Sequence, residues 1–133
     1  MRIGTVAQLA GVSIQTILYY ERQGLIPLPR RSEANYRIYT PKAIDLVRFI
    51  KSAQQLGFTL QEIKKLILWR NSGVASCTDV QEFTNAKIVE LEEKASELRS
   101  HARVLSRLVA ECSRSAAVRE CPIIKFLDTK AGM

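Results

Sequence analysis

From Ser76 to Glu111 the chain contains neither proline nor glycine. Within that stretch apolar or small residues recur at Ile88, Leu91, Ala95, Leu98, Ala102, Leu105, Val109 and Cys112, in alternating steps of three and four. About four heptads of this kind describe a coiled-coil seam. One helix over residues 79–111 would be about 50 Å long at about 1.5 Å per residue. Alanines at alternate seam positions suit close helix approach. No other segment offers a second helix of matching length, so the partner has to be a second copy of the chain, and a homodimer is expected.

The same helix separates the cysteines. Cys77 precedes it, and Cys112 and Cys121 follow it. Opposite ends of such a rod cannot meet within one chain. If the three thiols cooperate, Cys77 must come from a second chain running antiparallel, and the dimer builds thiolate sites across its interface. Eight residues between Cys112 and Cys121 are enough for a closed loop that brings both sulfurs to one ion. Pro122 then suits the first position of a short helix, with Cys121 as its N-cap. Backbone N–H groups and the helix dipole at that point favour a thiolate.

Composition narrows the class. Hydrophobic residues make up 47% and charged residues 25% of the 133, which is enough for a packed core. No apolar run approaches the roughly 20 residues that span a membrane. An odd number of cysteines without an export signal points to a reducing compartment, and a cytoplasmic location is expected. The net charge of +7 is unevenly placed. Residues 1–70 hold 11 Lys and Arg against 4 Asp and Glu, whereas residues 71–133 hold 9 of each. A basic half joined to a neutral, heptad-patterned half suggests a polyanion-binding module on a dimerisation element.

The basic half has its own punctuation. Residues 4–10 are amphipathic and Gly11 stops them; Ser13 is a good N-cap for a second helix, roughly 14–23. Two short helices joined by a glycine turn form a helix-turn-helix pattern. Residues 27–39 carry prolines and a short alternating strand at Tyr36–Tyr39, which reads as a wing whose arginines and tyrosine hydroxyls are phosphate donors. Thr40-Pro41 opens a third helix to about Leu56, with Ile44, Val47, Phe49, Ile50 and Ala53 apolar. Thr59 and Glu62 form a capping box for a fourth, which carries Leu60, Ile63, Leu66, Ile67 and Trp69 and fades at 71–73. Four parts follow: a DNA-binding domain at 1–70, a hinge at 71–78, a dimerisation helix at 79–111, and a metal-binding loop with a short helix at 112–133. The tail from Asp128 is expected to fray.

These residues resemble the MerR family of bacterial transcription factors. The resemblance rests on Gly11-Val12-Ser13, Thr16-Ile17, Tyr19-Tyr20-Glu21, Gly24-Leu25-Ile26-Pro27, Asn35 to Tyr39 and Leu56 to Leu60. It covers nearly the whole chain. It implies a mainly α fold, with a winged helix-turn-helix followed by a long antiparallel coiled-coil helix and a short metal-binding loop. It also implies a homodimer on double-stranded promoter DNA, which metal binding distorts so that RNA polymerase engages. Ser13, Gln15, Thr16, Tyr19, Tyr20 and Arg22 on the second helix, and Tyr36 and Arg37 on the wing, become the expected DNA contacts. The chain departs from the family at Leu18, where an arginine is usual.

The arrangement of Cys77, Cys112 and Cys121 is most similar to that of the mercury sensors. Three thiolates without a fourth ligand suit soft cations in trigonal sulfur coordination, with Hg(II) first, then Pb(II) and Cd(II). Zn(II) usually takes four ligands, and zinc sensors of the family tend to carry a cysteine where this chain has Ser113. A copper(I) sensor would leave Cys77 unexplained. His101 lies mid-helix and is expected on the surface. Two other readings stay open: a metal-buffering dimer with weakened DNA binding, and a redox sensor in which Cys112 and Cys121 pair. No Ser, His and Asp constellation or glycine-rich phosphate loop is present, so no enzymatic activity is expected.

Overall fold

A computed structural model describes residues 1–112 and 117–131. Among them are six α-helices and a two-stranded wing: α1 Ile3–Ala10, α2 Ile14–Arg22, β1 Arg30–Arg31, β2 Arg37–Ile38, α3 Pro41–Gln55, α4 Leu60–Ser72, α5 Cys77–Glu111 and α6 Pro122–Ala131. A single 3-10 turn, Val118–Glu120, precedes α6. None of these helices is long and apolar enough to cross a membrane. The chain divides into two compact units, Met1–Phe83 and Thr84–Met133.

The first unit is assembled by its caps. Gly11 ends α1 with φ +71°, a left-handed conformation that costs other residues a Cβ clash, and its N–H reaches back to the last turn. Cations of α3 serve the same corner: Lys51 Nζ donates to the Gly11 carbonyl at 2.8 Å and Arg48 to the Leu9 carbonyl at 2.7 Å. Carbonyls left open by the helix end are thereby satisfied. The Ser13 hydroxyl then accepts the Thr16 N–H at 3.1 Å and starts α2. Thr59 and Glu62 form the reciprocal capping box of α4, which closes at Gly73. Thr40 precedes α3 but makes no side-chain cap bond, so Pro41 alone presets that start.

The core gathers Val6, Ala7 and Ala10 of α1, Ile17 and Tyr20 of α2, and Val47, Ile50 and Ala53 of α3, closed by Ile63 of α4 and by Leu25, Ile26 and Tyr39. Each set recurs at three- and four-residue spacing, the signature of a helix with one buried face. β1 and β2 pair antiparallel, Arg30 opposite Ile38 and Arg31 opposite Arg37. Trp69, expected to help close the core, packs edge-on against Phe83 at 5.3 Å, and Phe83 stacks on Phe58 at 6.1 Å. The first unit therefore runs past residue 70 and includes the start of α5.

Three boundaries differ from expectation. α5 begins at Cys77 rather than 79, because Ser76 and Asp79 bond reciprocally: the Asp79 N–H donates to Ser76 Oγ at 3.2 Å and the Ser76 N–H to Asp79 Oδ2 at 2.9 Å. The hinge shrinks to 73–76, and Cys77 belongs to the helix. At the other end, α6 continues to Ala131 instead of fraying from Asp128; the Thr129 hydroxyl donates to the Lys125 carbonyl at 2.9 Å. Ser113, the position that separates this chain from zinc sensors, lies outside the described residues.

Candidate functional site

The residues expected to face DNA lie at the start of and along α2 and on the wing. Ser13, Gln15, Tyr19 and Arg22 are exposed, and Thr16 is half-buried. The Arg22 guanidinium lies 5.9 Å from the centre of the Tyr19 ring. Tyr36 on the wing is 51% exposed. Leu18 is half-buried.

Tyr20 requires a correction. Its ring is 2% exposed and its hydroxyl donates to Gln54 Oε1 at 2.6 Å. Burial of the ring also raises its pKa. Tyr20 is a core residue that ties α2 to α3, not a DNA contact. Spacing carried the signal: Tyr20 follows Ile17 by three residues and shares its buried face, whereas Tyr19 points away.

Sequence reasoning also missed Glu21, a carboxylate 8% exposed on that same face. A buried charge needs partners, and the wing supplies them. The Tyr39 hydroxyl donates to Glu21 Oε1 at 2.5 Å, and Arg37 Nε lies 3.4 Å from Glu21 Oε2. Burial and then the bond to Glu21 push the Tyr39 phenol well above its usual range. Arg37, with its side chain one third exposed, thus anchors the wing to α2 through Nε in addition to the DNA role expected for it.

The thiols form a pair and an outlier. Cys112 Sγ and Cys121 Sγ lie 3.7 Å apart. Backbone N–H groups of Ile124 and Ile123 bond the Cys121 sulfur and lower its pKa, as an N-cap thiolate at the head of α6 should behave. Cys112 is raised, first by its bond to Cys121. Such a pair fits a soft metal: two sulfurs are already adjacent and one is already inclined to ionise. Among the described residues of one chain, no group of three or more His, Cys, Asp and Glu side chains gathers at metal-binding distance. Cys77 is exposed and His101 lies on the surface 3.9 Å from Glu97.

The helical seam is uncovered in the single chain. Ile88 is 44%, Leu98 66%, Leu105 50% and Val109 61% exposed. A row of exposed aliphatics at heptad spacing is a surface made to be covered.

Comparison with known proteins matches the family model described as MerR HTH family regulatory protein over residues 1–68, and that described as MerR, DNA binding over residues 44–108. The mercuric resistance operon regulatory protein of Bacillus cereus is 43% identical over 97% of this chain and 98% of its own length. Among solved structures, a transcription regulator of Ralstonia metallidurans in complex with lead(II) is 35% identical, with a TM-score of 0.81 over 96% of this chain and 98% of that one. The regulator of Bacillus megaterium in complex with mercury(II) is 39% identical, with a TM-score of 0.68 over the same shares.

Proposed function

The chain belongs to the MerR family of helix-turn-helix regulators and is a metal-responsive transcription regulator rather than an enzyme, and we propose that it governs a mercury-resistance operon through three-thiolate sites shared across a homodimer. Each site takes Cys112 and Cys121 from one protomer and Cys77 from its partner. One observation carries the reading: two sulfurs stand 3.7 Å apart with, among the described residues, no third ligating side chain gathered beside them, in a chain whose remaining cysteine opens the long helix. The uncovered seam of α5 supplies the dimer, and antiparallel pairing brings the start of one helix to the end of the other. Promoter DNA meets Ser13, Gln15, Thr16, Tyr19, Arg22, Tyr36 and Arg37. Polymerase engages that promoter in the cytoplasm.

A bound soft cation would hold thiolates of two chains together. This chain's own residues prepare for it. Ile123 and Ile124 stabilise the Cys121 thiolate, and the cap at Ser76 fixes where Cys77 stands. Hg(II) is favoured because trigonal thiolate coordination suits it and because relatives along the full chain are mercuric regulators. Pb(II) is the second reading, favoured by the lead-bound structure with a TM-score of 0.81. Cd(II) and Zn(II) rank lower, Zn(II) because it usually takes a fourth ligand.

Mixing Cys77→Ser and Cys112→Ser variants tests the arrangement. The heterodimer should regain one complete site, read as ultraviolet thiolate-to-metal absorption during titration with Hg(II) against a small competing thiol. Pb(II), Cd(II) and Zn(II) titrated alongside rank the inducers. Mixtures that bind no better than either variant alone rule out the cross-chain site.

A further inference from the structure

The base of the wing holds a small cavity of about 180 Å³ lined by Arg2, Ile3, Arg31, Asn35, Tyr36 and Arg37. Three of those six residues carry guanidinium groups. Arg2 was not among the residues that sequence reasoning assigned to DNA. Its guanidinium carbon lies 4.0 Å from the centre of the Tyr36 ring, in stacking range. That stacking fixes a long side chain that solvent would otherwise leave free.

The turn beneath it is held by the backbone. The Tyr36 N–H donates to Ser32 Oγ at 3.1 Å, and the Asn35 N–H to the Ser32 carbonyl at 2.8 Å. Asn35 adopts φ +67°, a conformation asparagine tolerates better than most residues. This strained step turns its carbonyl to accept Arg31 Nη1 at 3.1 Å. Arg37 is held from behind by Glu21. Among the described residues no carboxylate pairs with Arg2 or Arg31. Three arginines thus line one space, and among the described residues the one carboxylate paired with any of them is Glu21, which is buried. Ile3 opens α1, whose N-terminus has no side-chain cap and no acidic residue in its first turn.

We propose that this cavity is a binding site for one phosphodiester group of the DNA backbone, with Arg2 as its principal ligand and Tyr36 as the platform that positions Arg2. The proposal rests on the DNA-binding reading of the chain. A planar fork of N–H donors matches a phosphate's oxygens, and a guanidinium over a ring face can still donate from its edge. Phosphate contacts of this kind set register and orientation on the duplex without reading bases. The site would therefore seat the wing on any sequence.

The test is the salt dependence of binding to a short DNA duplex of arbitrary sequence, measured by fluorescence anisotropy on the full-length dimer. Loss of one phosphate contact lowers the slope of log K against log salt by about 0.9. Arg2→Ala should show that drop, whereas Arg2→Lys, which keeps the charge, should retain most of the slope. Circular dichroism melting of both variants separates a lost contact from a lost fold: the drop must appear in Arg2→Ala protein that melts as the parent does. An unchanged slope in folded Arg2→Ala overturns the site while leaving DNA binding intact. Absence of salt-dependent binding in the parent protein overturns the DNA-binding reading and the site with it.

Discussion

At Cys121 the reactivity of the site is set by two backbone N–H groups. They stabilise the thiolate in the folded chain only, because the unfolded chain has no helix end to supply them. The folded pKa is therefore depressed below the ordinary thiol value of about 8.5. The resulting stabilisation is present above that value and is lost as pH falls through the folded pKa. Alkylation with iodoacetamide, followed by mass spectrometry across pH 6–9 at the roughly neutral range where thiolate fractions diverge, should modify Cys121 first. Cys112 should lag, since its hydrogen bond to Cys121 raises its pKa. Equal rates at the two sulfurs would mean that the N-cap geometry is not populated in solution. Glu21 teaches the same lesson in another setting. An acidic residue on an apolar face marks a fixed junction, here between α2 and the wing.

At the scale of elements, helix ends were legible wherever a side-chain cap or a glycine declared them. Ser13, Thr59, Gly11 and Gly73 each stand where the pattern put them. α5 starts earlier than apolar spacing alone puts it, because that spacing begins only at Ile88 whereas Ser76-Cys77-Thr78-Asp79 is itself a capping signature. Tyr20 was misplaced for a related reason: two adjacent tyrosines look equivalent in a motif, but a helix turns about 100° between them and sends one inward. The thiol pair was legible as a loop of eight residues; its 3.7 Å separation and the opposite pKa shifts of its two sulfurs were not, since both depend on where α6 begins. The seam of α5 yields its own prediction. Leu98→Lys removes from each protomer an exposed leucine that the proposed dimer would bury, at about 2 kcal/mol per side chain. Association should weaken on the order of a thousandfold, measured by sedimentation equilibrium. Glu93→Lys, on the outer face of the same helix, should leave association near the parent value. Equal loss in both variants would place the dimer contact somewhere other than the seam.

For the whole molecule, the division of charge is a division of labour. The unit that carries the helix-turn-helix holds most of the positive excess, a net +5 against +2 for the unit that carries the thiol pair. Between α4 and α5 only residues 73–76 are free of helix. Two or three glycines inserted there should leave Hg(II) affinity and DNA affinity close to those of the parent while abolishing metal-dependent transcription in a reconstituted promoter assay. Transcription that still answers to metal after the insertion would show that the signal does not travel through this connection.

Cys77 is the first residue of a helix of 35 residues, about 52 Å from end to end. A ligand on a loop gives way when pulled, because the loop absorbs the motion. A ligand at the head of a rod does not. Its backbone is locked into the hydrogen-bond ladder, so any displacement of the sulfur is imposed on the whole strut. A sideways shift of about 1 Å at one end, with the far end pinned, tilts a rod of that length by about 1°. The geometry works as a reduction gear, in which coarse movement at the thiol becomes a fine rotation of α5. Regulation through Cys77 as proposed would therefore be a matter of small angles held stiffly, not of large excursions.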